Sequence, residues 1–169
     1  MTPQILVSLA ALMASILAVS LSSGLALRQQ RLAKQANQLP VVDYLWIMRS
    51  PDFLRCEERL WDELPKQDQT LRFAELPQPL RDETEAICVF YQKVAYLVGL
   101  EVVDERLAIV PLAYRGPRSW AAIEPFVANE RRARNDELSF YNAFEDLICR
   151  IRRADVPRMS RTMFPGNRR

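Results

Sequence analysis

Between Ile5 and Leu27 the chain reads ILVSLAALMASILAVSLSSGLAL, with no charged side chain. A helix that crosses a bilayer core of roughly 30 Å needs about 20 apolar residues. The stretch meets that length and predicts a single membrane-spanning helix. A secretory signal has a positively charged start, a shorter apolar core and a small-residue cleavage site. Met1-Thr2-Pro3-Gln4 carries no Lys or Arg. Ser22-Ser23-Gly24-Leu25-Ala26 does read as a cleavage site, so removal is the alternative to anchoring.

The flanks give an orientation. Arg28, Arg31 and Lys34 follow the stretch, and no basic side chain precedes it. Positive charge stays on the cytoplasmic side. The expectation is a bacterial inner-membrane protein with its N-terminus outside and the rest of the chain in the cytoplasm.

Within the stretch, Ala10, Ala14, Ala18, Ser22 and Ala26 recur every fourth residue, which puts them on one helix face. Ala11, Ser15 and Ser23 widen that stripe, while Leu9, Leu12, Met13, Ile16 and Leu17 take the other side. Small residues let two membrane helices approach closely, so the stripe predicts packing against another membrane subunit.

The remaining chain is long enough for one small domain. Hydrophobic residues make up 49 % and mean hydropathy is −0.14, which is globular rather than disordered material. Only 4 glycines and as many as 11 prolines suit helices with abrupt ends. The expected organisation is an anchor with its basic flank over 1–38, a helical cytoplasmic domain over 39–154, and an Arg-rich tail over 155–169. The fold class expected is all-α, a membrane helix followed by a small helical bundle.

Charge is unevenly spread. Residues 150–169 hold seven Arg against one Asp, and residues 35–149 hold 13 basic against 20 acidic side chains. An acidic body between basic ends argues against a nucleic-acid surface. Basic segments near a cytoplasmic leaflet favour anionic lipid headgroups. Arg28, Arg31, Lys34, Arg158, Arg161, Arg168 and Arg169 are the candidates for contact with lipid or another acidic surface.

Turn signals divide the domain. The helix of the anchor is expected to run on through Arg28–Asn37 and to stop at Leu39-Pro40. Val41–Arg49 reads as a short apolar helix. Ser50-Pro51-Asp52 is a helix start, leading to a helix that ends before Pro65. Residues 65–79 read as a polar, mobile linker with a helical turn at Leu71–Glu75. Arg81–Gly99 is apolar nearly all round and predicts the most buried helix, with Asp82, Glu83 and Glu85 at its dipole-favoured start. Asp104 caps a short helix to about Ala113, Arg115-Gly116-Pro117 reads as a turn, and a helix kinked at Pro125 follows from Ser119 to about Arg134. Phe140, Tyr141, Phe144, Leu147, Ile148 and Ile151 mark one face of a last helix over Glu137–Arg152. No segment alternates as a strand does.

Catalytic machinery is not legible. The chain has no histidine, which removes the commonest general base and zinc ligand. The four glycines are isolated, and Cys56, Cys88 and Cys149 lack the CxxC spacing of a zinc site. These cysteines read as free thiols. Two acidic clusters remain, Glu57-Glu58 with Asp62-Glu63, and Glu101 with Asp104 and Glu105. Arg55 and Arg59 are expected to pair with the first. No catalytic residue, cofactor or metal ligand is assigned.

The runs FYQKVAYLVGLEVVDERLA, SWAAIEPFVANERRARND and FYNAFEDLICRI resemble a family of bacterial and phage proteins of unknown function. The matching features are Phe90 and Tyr91, Gly99-Leu100, Asp104-Glu105, Trp120, Pro125, Arg131-Arg132 and the helix from Tyr141 through Phe144. Ser50-Pro51-Asp52-Phe53 resembles an earlier segment. The resemblance implies one N-terminal membrane helix and a small cytoplasmic helical domain. The family has no assigned activity, so no functional residue carries over.

The expected function is a non-catalytic accessory subunit or scaffold in a larger bacterial membrane assembly. The alternative is a membrane-tethered regulatory or ligand-sensing domain, with Trp46, Trp61, Trp120, Tyr91, Tyr96 and Tyr114 lining a pocket.

Overall fold

A computed structural model describes residues 4, 12–13, 15–26, 28–30, 50–135 and 139–163. The chain divides into two compact units, Met1–Pro40 and Val41–Arg169.

In the first unit the described residues are helical and exposed. Leu12, Met13, Ile16, Leu17, Val19, Leu21 and Leu25 are each more than half exposed. Ser20, Ser22 and Ser23 donate their hydroxyls to the carbonyls of Ile16, Ala18 and Val19 at 2.7–2.8 Å. Among the described residues no helix is long and apolar enough to cross a membrane. Residues 5–11, 14 and 27 of the charge-free stretch lie outside the described residues, as does the expected helix Val41–Arg49.

The second unit is all-α, with no strand among its described residues. Helix α1 spans Pro51–Glu63. The Ser50 hydroxyl accepts from the Phe53 N–H, and Pro51 takes the first position, where no N–H is needed. Its inner stripe is Phe53, Glu57, Leu60 and the following Leu64, with the last three fully buried. A 3₁₀ turn, Leu64–Lys66, ends it.

The expected mobile linker is instead fastened to the core. A second 3₁₀ turn, Phe73–Glu75, buries Phe73, and Leu76 is buried after it. The Phe73 ring packs against Phe140 and Tyr141 at 5.6 and 5.7 Å. Asn129 donates to the carbonyls of Gln69 and Leu71, both at 2.8 Å. Phe73 and Leu76, with the half-buried Leu71 and these hydrogen bonds, hold the segment to the core.

Helix α2, Leu80–Gly99, buries Thr84, Ile87, Cys88, Phe90, Tyr91, Val94 and Val98. It is buried on one broad face rather than on most sides, since Val89, Tyr96 and the following Leu100 are exposed. Asp104 caps α3, Glu105–Leu112, by accepting from the Arg106 N–H at 2.9 Å. Helix α4 spans Arg115–Ala133. Arg115-Gly116-Pro117 is therefore not a turn but the first turn of this helix. The N–H that proline lacks would have had no partner there. The helix also continues through Pro125.

Helix α5 spans Asn142–Arg153, so it begins later than the expected Glu137. Tyr141 holds a left-handed backbone, φ 55°, which separates it from the helix it precedes. Phe144, Leu147, Ile148 and Ile151 form the buried face. The expected tail contains a further helix, α6, Val156–Met163. Asp155 caps it by accepting from the Arg158 N–H at 3.0 Å. Val156 and Met159 face the core, and α6 packs on α3.

The core lies where α2 meets α5 and where α1 and α4 close over them. Tyr91 and Phe144 stack with ring centres 4.5 Å apart and planes 3° from parallel. Trp120 meets Phe144 edge-on at 4.9 Å.

Candidate functional site: a buried carboxylate between three helices

Glu57 lies on the apolar stripe of α1, in phase with Phe53, Leu60 and Leu64, and is 0 % exposed. A carboxylate taken from water needs a partner for each oxygen. Neighbouring helices supply them. The Tyr91 hydroxyl on α2 donates to Glu57 Oε1 at 2.6 Å, and the Ser119 hydroxyl on α4 donates to the same oxygen at 3.1 Å. Arg115 Nε, also on α4, donates to Oε2 at 2.6 Å.

A second ring of contacts fixes those donors. Arg115 Nη2 donates to the Leu54 carbonyl at 3.0 Å and reaches Glu58 Oε1 at 3.4 Å. The Trp61 indole N–H donates to Ser119 Oγ at 3.0 Å. The guanidiniums of Arg115 and Arg118 lie 4.6 and 4.4 Å from the centre of the Trp61 ring. Burial pulls the Arg115 pKa down, but the hydrogen bonds and charges of Glu57 and Glu58 outweigh it and leave it raised. With both oxygens engaged and no exposure, Glu57 joins α1, α2 and α4.

The expected pairing of Arg55 and Arg59 with this cluster does not form. Arg55 bonds Asp52, and Arg59 bonds Glu83 at 3.0 Å. The cation that meets Glu57 comes from 58 residues along the chain. The signal in the sequence was a glutamate in phase with an apolar stripe. Glu130 is a second buried carboxylate, holding the Ala74 N–H at 3.1 Å and Arg134 Nε at 2.8 Å. Arg131 ties α4 to the start of the next helix, donating to the Phe140 carbonyl just before α5 and to Glu145 within it.

The other candidates disperse. Glu101 is exposed, Asp104 is used as a cap, and Glu105 reaches Arg150 at 3.7 Å. Among the described residues no group of acidic or cysteine side chains could hold a metal ion. Tyr91 and Trp120 are core residues, Trp61 is covered by guanidiniums, and Tyr96 and Tyr114 are exposed. Trp46 lies outside the described residues. The three cysteines are free, and burial, with the charge of Glu85, pushes the Cys88 thiol well up.

Of the small-residue stripe, Ala18, Ser22 and Ala26 are helical and exposed, while Ala10 and Ala14 lie outside the described residues. Arg28 is helical and exposed, and Arg158 and Arg161 are exposed on α6. Arg31, Lys34, Arg168 and Arg169 lie outside the described residues. No protein-family model, no curated protein and no solved structure matches the chain.

Proposed function

We propose that the protein is a single-pass, non-catalytic accessory subunit of a bacterial membrane assembly. In this reading residues 5–27 span the inner membrane, and the helical domain is cytoplasmic. One observation carries it. Apolar side chains between residues 12 and 26 are exposed around a helix whose Ser20, Ser22 and Ser23 hydroxyls bond back to its own carbonyls. In water each such side chain is costly, at roughly 25 cal/mol for every Å² exposed. In lipid the exposure is favourable, and hydroxyls satisfied within the helix need no water.

The partner is another membrane subunit, received on the Ala10, Ala14, Ala18, Ser22 and Ala26 stripe. Lipid fills space beside any side chain, so small residues gain little there. Against a second helix they permit close backbone contact. The non-catalytic part of the reading draws on Glu57, Glu130 and Asp104, whose carboxylates are taken up in ion pairs and a helix cap.

The test is extraction in mild detergent followed by identification of co-purifying proteins. The wild-type chain is expected in the membrane fraction with partners. Ala14→Leu with Ala18→Leu is expected to insert and to lose them, because Leu inserts at least as well as Ala. A chain that stays in the aqueous fraction, or a double variant that keeps every partner, overturns the reading.

A further inference from the structure

Helix α6 has two sides. Val156, Met159, Ser160 and Met163 are half-buried, while Pro157, Arg158, Arg161 and Thr162 are exposed. Arg152 and Arg153 are exposed at the end of α5, immediately before it. Among the described residues none of these four arginines forms an ion pair; Arg150, by contrast, is held by Asp146 and Glu105. The one acid between the two helices, Asp155, is occupied in capping α6.

We propose that these four exposed arginines, at the end of α5 and on α6, dock on the anionic headgroups of a bilayer, an inference that rests on the membrane anchoring proposed above. Charge complementarity is the first reason. The guanidiniums share one sign and are confined to a short stretch of chain, and their charges are not cancelled locally. The second reason is what the exposed side of α6 lacks. A protein interface needs aromatic or aliphatic anchors at its centre, and between these arginines α6 exposes only Pro157 and Thr162. A headgroup layer asks for charge alone. Third, α6 is already seated through Val156 and Met159, so its backbone needs no ordering on contact.

The chain itself keeps the arginines near their target. Twenty-two residues separate Leu27 from Ser50, a reach of at most about 80 Å when fully extended. The acidic balance of residues 35–149 repels the same leaflet, which favours approach by the basic end.

The test uses the full chain in nanodiscs, with a dye carried by a non-natural residue at Thr162 and an acceptor on the lipid. Energy transfer is expected to be higher in discs of phosphatidylcholine with phosphatidylglycerol than in phosphatidylcholine alone. High salt should abolish the difference. Each Arg→Gln change at 152, 153, 158 or 161 should lower the ratio of docked to undocked chain about fivefold. Arg158→Lys with Arg161→Lys should keep it, and circular dichroism of every variant should match wild type. Equal transfer in both discs overturns the proposal and leaves the arginines to an acidic protein. A chain that does not enter discs overturns the anchoring. Adding anionic vesicles to that free chain then tests the arginines alone, for which salt-sensitive transfer is support and its absence refutation.

Discussion

The phenol of Tyr91 and the carboxylate of Glu57 meet 2.6 Å apart inside the core, joining α2 to α1. A hydrogen bond to a charged group contributes about 1.5–3 kcal/mol. Tyr91→Phe keeps the ring stacked on Phe144 and removes the bond to Glu57, so a loss of at least this size is expected on denaturant unfolding. Tyr91→Asp sets a second carboxylate beside the first and is expected to cost several kcal/mol more. A melting temperature unmoved by either change would contradict the assignment.

Arg115 neutralises Glu57 from the other side. Removing one partner of a buried pair costs about 3–5 kcal/mol, because the remaining charge is stranded. Arg115→Met is expected to fall in that range. Glu57→Gln in the same background should recover part of the loss, and a double-mutant cycle measures the coupling. Additive effects would mean that the two charges act independently.

Glu130 links stability to acid. Burial raises its pKa, but the hydrogen bonds of Arg134 and the Ala74 N–H, with the charges of Arg134 and Arg72, leave it below its ordinary value of 4.5. The unfolded chain thus binds this proton at higher pH than the folded one. The contribution is complete above the unfolded pKa and disappears as pH falls through the lower folded value. Stability curves between neutral pH and pH 2 should show a smaller acid loss for Glu130→Gln than for wild type.

Gly116 begins α4 against the core. An added Cβ would meet Ile148 Cδ1 at 3.2 Å, and Ile151 Cδ1 and Tyr91 Cε1 at 3.4 Å. Alanine gains helix propensity of up to about 1 kcal/mol, and the Ile148 terminal methyl has to give by a few tenths of an ångström. Gly116→Ala is expected to stay within about 1 kcal/mol of wild type. Gly116→Leu should cost about 1–3 kcal/mol, as thermal melting can check.

Local chemistry explains what was legible beforehand. Ser50-Pro51 announces α1, Asp104 announces α3, and the Phe144–Ile151 spacing announces the face of α5. The failures come from distant contacts. Arg115-Gly116-Pro117 has turn composition, but Pro117 sits where a helix tolerates it and Gly116 where the core leaves little room. Phe73 and Leu76 looked isolated among polar residues because Phe140 and Tyr141, which receive Phe73, lie far along the chain. The same distance hid the buried network. Glu57 has Arg55 and Arg59 as its neighbours in sequence, whereas its cation, Arg115, projects from α4. Composition shows only an Arg-rich tail, and the half-buried Val156–Met159 side that folds it into α6 depends on contact with the core.

The Glu57 network also draws on groups far apart in sequence. Helices α1 and α2 leave the ribosome first, with the carboxylate still hydrated. Arg115 and Ser119 follow it by 58 and 62 residues. Until they are made, closing α1 on α2 would bury a charge with Tyr91 as its principal donor, so water competes successfully for it. A fragment that stops before α4 would lack two of the three donors to this core-facing carboxylate, so it is expected to leave Glu57 in water rather than between two packed helices.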